Sequence, residues 1–230
     1  MAAHSEPVPE LLQMVRGMHA AKLNILHWHI VDSTAFAYES KAYPELSAEG
    51  SWTRDASTIY SQKDVAAVMD FAAAHFVDVM LEFDTPAHTM AWGKSHPEVM
   101  TPCVDSWLMP QSTKGQDRID QQAMDPTSPA AKKLVQNLLR EAASVQTSNY
   151  MHIGGDEVKA PCWNSTASIR NKVISMYGDD SQESFLRLQA DWVCRYAKVR
   201  VHCIAILALD PIMPIVRSRL AGKCRWWVRW

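Results

Sequence analysis

Runs rich in β-formers alternate along this chain with runs of helical period, and the β-rich runs end in titratable residues. Residues 22–31 read as a buried strand ending at Asp32-Ser33. Residues 77–83 form a second apolar run that meets Asp84, and residues 149–154 a third that meets Asp156 and Glu157. Between them lie helical patterns over 11–21, from Ser61 through Ala72, and over 129–144. Helices follow over 166–176 and 182–198, then a fourth strand over 199–206. Strands separated by helices imply crossover connections, hence a parallel α/β sheet. In such sheets ligands bind beyond the carboxyl ends of the strands, whether the sheet is a closed barrel or open. Residues 34–61 and 94–127 read as loops, the second carrying Pro97, Pro102, Pro110 and Pro126.

The strand end with the most chemistry runs from Tyr150 to Val158, where Gly154-Gly155 precedes Asp156-Glu157. Neighbouring residues on a regular strand point to opposite faces. For both carboxylates to serve one site the backbone must curl, and paired glycines permit that. Two carboxylates forced together cannot both ionise easily, so one is expected to have a raised pKa. A protonated carboxyl near neutral pH is a general acid, and its ionised neighbour can steer a substrate dipole. The alternative reading is a solvated acidic turn.

If the strands are parallel neighbours, their ends gather His27, His29 and Asp32, then Asp84 with His88, then His152 with Asp156 and Glu157. Two chemistries fit. One is carboxylate acid catalysis with histidines as hydrogen-bonding supports. The other is a metal site, because His27 and His29 share one face of a strand and could chelate zinc. A lone histidine can equally be a hydrogen-bonded core residue. A net charge of −2 argues against a general nucleic-acid binder. Residues 1–10 show no basic or apolar leader and read as a disordered start.

The segments from Lys22 to Asp32, Phe36 to Ser40, Tyr43 to Leu46 and Glu82 to Thr89 resemble family 20 glycoside hydrolases, the β-N-acetylhexosaminidases of eukaryotic lysosomal type. So do Trp92-Gly93, Thr101 to Cys103, His152 to Val158 and Cys162-Trp163. The resemblance implies part of a (β/α)8 barrel over 11–207, roughly strands two to five. It implies hydrolysis of terminal N-acetylhexosamine from glycans with retention of configuration, the substrate's own acetamido oxygen acting as nucleophile. In that scheme Glu157 protonates the leaving oxygen and Asp156 orients the acetamido group. Asp32, His88, His29, His152 and Asp84 support them, and no metal or organic cofactor is expected. A lysosomal or secreted location and dimeric full-length relatives are implied too.

The family pattern also pairs Cys103 with Cys162, while Cys194 on a helix and Cys203 on a strand read as small buried apolar residues. It has glycine where Ala87 and Phe76 stand, so strain is expected at Ala87 if its φ is positive. A substrate-binding arginine is expected upstream of residue 1, and a Trp-Gln-Glu strand end after residue 206 is absent. Residues 208–230 form a divergent basic-aromatic tail. Asn164-Ser165-Thr166 is a glycosylation sequon, read here as unused because the start carries no leader.

Overall fold

A computed structural model describes residues 6–103, 123–196 and 202–204. Residues 1–5, part of the 94–127 loop, Cys224 and the 208–230 tail lie outside the described residues. Five strands form one sheet in the order β2-β1-β3-β4-β5. Strands β1 (Ile25–Asp32), β3 (Asp78–Phe83), β4 (Tyr150–His152) and β5 (His202–Ile204) run parallel. The two-residue β2 (Ala35–Phe36) pairs antiparallel with the end of β1.

The crossovers are helical, as the sequence periods require. Helix α1 (Val8–Ala20) precedes β1, α3 (Gln62–Ala74) joins β2 to β3, and α5 (Pro129–Val145) leads into β4. Helix α1 overturns the expected disordered start from Val8 onward. Proline at the first helical turns supplies a preset φ, and Leu11 and Val15 are buried against the sheet. Helix α3 begins with a reciprocal cap: Ser61 Oγ accepts from the Asp64 N–H while the Asp64 carboxylate accepts from the Ser61 N–H. Such caps contribute about 1 kcal/mol. Helix α5 buries Ala131, Leu134, Val135, Leu138, Leu139 and Ala142, a single stripe facing the core.

The expected loop over 34–61 is not structureless. It holds β2, α2 (Pro44–Gly50) and a 3-10 turn at Ala56–Thr58. Glu141 on α5 pins its first bend, accepting from Ser40 Oγ at 2.7 Å, the Lys41 N–H at 2.6 Å and Gln62 Nε2 at 2.6 Å. Two further short helices, α4 (Met90–Gly93) and α6 (Ala160–Ser165), follow the ends of β3 and β4. Helices α7 (Ala167–Tyr177) and α8 (Gln182–Tyr196) then lead to β5.

Most of the core lies between the sheet and α1, α3 and α5. A second cluster, Cys103, Ala123, Cys162, Trp163, Ile169, Val173, Phe185 and Leu188, gathers α6, α7 and α8 beneath the strand ends. The structure joins Cys103 to Cys162 by a disulfide with Cα atoms 4.6 Å apart. Cys194 is also disulfide-bonded, with its partner outside the described side chains, contrary to the expectation of a simple buried thiol.

Ala87 does not carry the expected strain. The left-handed residue in that turn is the next one, His88, at φ 56°. Phe76 does adopt φ 56°, with its side chain 84% exposed. It ends the α3 crossover, and its ring stacks on His19.

Candidate active site

On β1 the apolar Leu26, Trp28 and Ile30 are buried toward the helices, so His27 and His29 point to the other face. The parallel register sets His29 beside Glu82 and Glu82 beside His152. Three imidazoles therefore converge on one carboxylate. His27 Nε2 lies 2.6 Å from Glu82 Oε2, His29 Nδ1 2.8 Å from the same oxygen, and His152 Nδ1 2.6 Å from Oε1. Burial alone would push the Glu82 carboxyl up. Hydrogen bonds from His152, His27 and His29 outweigh burial and hold it well below the usual glutamate range. The reverse pull raises the His29 pKa despite burial.

His27 and His29 thus address the same carboxylate oxygen, while His29 Nε2 and His152 Nε2 are buried without a hydrogen-bond partner. Two groupings among the described residues have ligand atoms close enough for a cation: His27 with Glu82 and His152, and Asp84 with His88 and Asp156. Glu82 was absent from the sequence-predicted site. Its signal was present: a lone acid inside an otherwise apolar strand has to be paired when buried.

Beyond the strand ends the backbone departs from regular geometry. Gly154 and Gly155 take φ 64° and 110°, and Glu157 takes φ 54°. The curl expected after β4 is thus present. A Cβ on Gly154 would overlap Asp84 Oδ1, so no other residue fits there. Asp84 Oδ1 accepts the Gly155 N–H at 3.1 Å, and the Gln189 side chain on α8 donates to the Gly155 carbonyl. The turn bearing Asp156 and Glu157 is thereby tied to both β3 and α8.

His88 stands at the centre. Its Nδ1 is 3.1 Å from Asp32 Oδ1 and 3.1 Å from Ser33 Oγ, and its Nε2 is 3.3 Å from Glu157 Oε2. Nε2 also lies 3.9 Å from Asp84 Oδ2. The Asp32 hydrogen bond is the largest cause raising the His88 pKa, to about 9. Burial opposes ionisation of Asp32, but the His88 hydrogen bond overrides it and lowers that pKa.

Asp84, at the end of β3, has a raised pKa. Burial pushes it up to about 8, and the Asp156 charge adds to the shift. The curl turns Glu157 outward, 63% exposed, while Asp156 faces Asp84 across the strand ends. The geometry thus offers an exposed carboxyl beside a cationic histidine, and a second carboxylate next to a neutral acid. Asn164 lies on α6, the helix that also carries Cys162 of the Cys103–Cys162 bridge.

Residues 1–202 match the glycosyl hydrolase family 20 catalytic domain. The chain is 38% identical over 197 residues to the beta-hexosaminidase subunit beta of Mus musculus, covering 85% of this chain and 34% of that protein. It is 35% identical over 202 residues to the beta-hexosaminidase subunit alpha of Bos taurus, covering 85% and 36% respectively. It therefore spans about a third of the length of these relatives. In three dimensions it resembles a beta-N-acetylhexosaminidase from Bacteroides fragilis, with TM-score 0.72 and 21% identity over 89% of this chain and 40% of the other. It also resembles a Flavobacterium johnsoniae chitobiase, with TM-score 0.74 and 18% identity over 99% of this chain and 36% of the other. These likenesses give the fold: four parallel strands with crossover helices, part of a (β/α)8 barrel.

Proposed function

This chain belongs to glycosyl hydrolase family 20, and on that premise we propose that its strand ends carry the acid pair of a β-N-acetylhexosaminidase. The substrate is a glycan ending in β-linked N-acetylglucosamine or N-acetylgalactosamine. Glu157 protonates the glycosidic oxygen as the bond breaks and later activates the water. The nucleophile is the substrate's own acetamido oxygen, the arrangement that sets this family apart from retaining enzymes with a protein nucleophile. Asp156 orients the acetamido group and stabilises the positive charge that develops on it.

The single observation that carries this reading is the series Asp32, His88, Glu157, linked at 3.1 Å and 3.3 Å. His88, held cationic by Asp32, has an N–H on each ring nitrogen. One goes to Asp32, and the other faces Glu157, where it favours the carboxylate left after proton transfer. Asp84, neutral below about pH 8, leaves one negative charge rather than two beside the acetamido position. The hub of three histidines on Glu82 holds β1, β3 and β4 in register beneath these groups.

A second reading, a non-catalytic remnant or sugar-binding relic, draws on the open sheet: among the described residues the strands do not close into a ring. Incubation with a chromogenic N-acetyl-β-glucosaminide separates the two. Turnover that disappears in Glu157→Gln supports the enzyme, and none at any protein concentration supports the relic. The Cys103–Cys162 disulfide supports a secretory or lysosomal location.

A further inference from the structure

Asn164-Ser165-Thr166 is the one Asn-x-Ser/Thr sequence in the chain. The structure gives Asn164 no packing or hydrogen-bonding reason to be asparagine. It lies in the last turn of the six-residue α6. Its Oδ1 is buried without a partner, and no described residue accepts a hydrogen bond from its amide. An unsatisfied polar group of this kind is destabilising. The side chain is half-buried and lines a cleft of about 680 Å³ shared with Lys159, Arg170, Asp180, Phe185 and Gln189. A space of that size at the side-chain end accommodates a sugar ring.

The disulfides decide between a used and an unused sequon. Cys162 lies two residues before Asn164 and is bonded to Cys103, and Cys194 is bonded as well. Disulfides form in the oxidising secretory compartment, where oligosaccharide is also transferred to asparagine. A chain that reaches the first chemistry is exposed to the second. The expectation drawn from the start of the sequence, that the tripeptide goes unused, gives way to this.

We propose that Asn164 is N-glycosylated, its first N-acetylglucosamine lying at the mouth of this cleft. In the transfer, the Asn164 amide nitrogen bonds to the anomeric carbon of a lipid-pyrophosphate-linked oligosaccharide. The anomeric carbon–oxygen bond breaks, its electron pair leaves with the pyrophosphate, and the amide proton passes to a base of the transferase. The product keeps the Asn164 carbonyl oxygen and substitutes only the amide nitrogen, and the cleft reaches Gln189, whose side chain donates to the Gly155 carbonyl.

The test uses the full chain secreted from a eukaryotic cell behind a cleavable leader, read by intact mass and peptide sequencing. The expected result is a mass above that of the sequence, restored by enzymatic N-glycan release with conversion of Asn164 to aspartate. Asn164→Gln and Thr166→Ala should each remove the excess, while Ser165→Ala, which keeps the sequon, should retain it. Secreted, disulfide-bonded wild-type chain of unmodified mass would overturn the proposal. So would excess mass that survives Asn164→Gln.

Discussion

His88 Nε2 lies 3.3 Å from Glu157 Oε2, and each residue reaches that position from a left-handed backbone, at φ 56° and 54°. Non-glycine residues rarely hold such angles unless the surroundings enforce them. Here Asp32 and Ser33 hold the far side of His88, while Gly154 and Gly155 shape the turn before Glu157. Replacing His88 with alanine should therefore act on turnover more than on substrate affinity. A fall in kcat of about 10²-fold, with little change in KM, is expected from steady-state kinetics. An equal effect on KM would place His88 in substrate binding instead.

Glu82 should matter first for stability. It is an ionised, buried acid with three imidazole partners, and Glu82→Ala leaves those partners facing an empty space. Breaking a buried charged network in this way costs about 3–5 kcal/mol. Denaturant unfolding of the variant checks this; a loss below about 1 kcal/mol would show that the hub is dispensable.

Stability should peak in mildly acid solution. From the ordinary aspartate pKa near about 4 up to about 8, folded Asp84 keeps a proton that the unfolded chain has released, so stability falls as pH rises. His88 acts in the same direction: its contribution is whole below the ordinary histidine value of about 6.5 and lost as pH passes about 9. Glu82 and Asp32 act oppositely, their lowered values giving stability that disappears only as pH drops below the ordinary carboxylate range. Melting temperatures across this range should decline on the alkaline side. Asp84→Asn, which retains an acceptor for the Gly155 N–H, should flatten the part of that decline below about pH 8. An unchanged slope would contradict the assignment of a neutral Asp84.

Phe76→Gly should stabilise the fold. A bulky residue at positive φ costs about 1–2 kcal/mol, which glycine does not incur. The exposed ring repays part of that only through its stack on His19. Net stabilisation of about 1 kcal/mol is expected by thermal or chemical unfolding. Conversely, Cys103→Ser with Cys162→Ser should destabilise by about 4 kcal/mol at most, from releasing a loop with a sequence separation of 59.

The parallel sheet was legible because its signals are local. Trp28 and Ile30 alternate with His27 and His29, and α5 repeats its leucines at helical spacing. The strand-end residues followed from the same reading, since each apolar run stops at an acid or histidine. What was not legible depends on spatial neighbours. The partner that perturbs Asp84 is Asp156, separated by a whole crossover, whereas sequence adjacency pointed to Glu157. Helix α2 was hidden because its seven residues carry too little apolar period, and its first bend is fixed by the remote Glu141. Glu82 drew little notice as one acid in a strand, although burial made pairing obligatory.

Because the sheet is open among the described residues, little or no turnover is expected of this 230-residue chain. Transition-state binding needs the whole pocket, and the described strand ends belong to a sheet that does not close into a ring. The rate per molecule should lie orders of magnitude below that of an enzyme with a closed barrel. A rate matching such an enzyme would contradict this.

The most direct test compares hydrolysis of a chromogenic N-acetyl-β-glucosaminide with that of the matching β-glucoside, which lacks the acetamido group, at high protein concentration. If the substrate's acetamido oxygen is the nucleophile and Glu157 the acid, turnover is confined to the first substrate. It should also fall by about 10²-fold or more in Glu157→Gln. Comparable hydrolysis of both sugars, or a Glu157→Gln variant with the wild-type rate, would contradict the account.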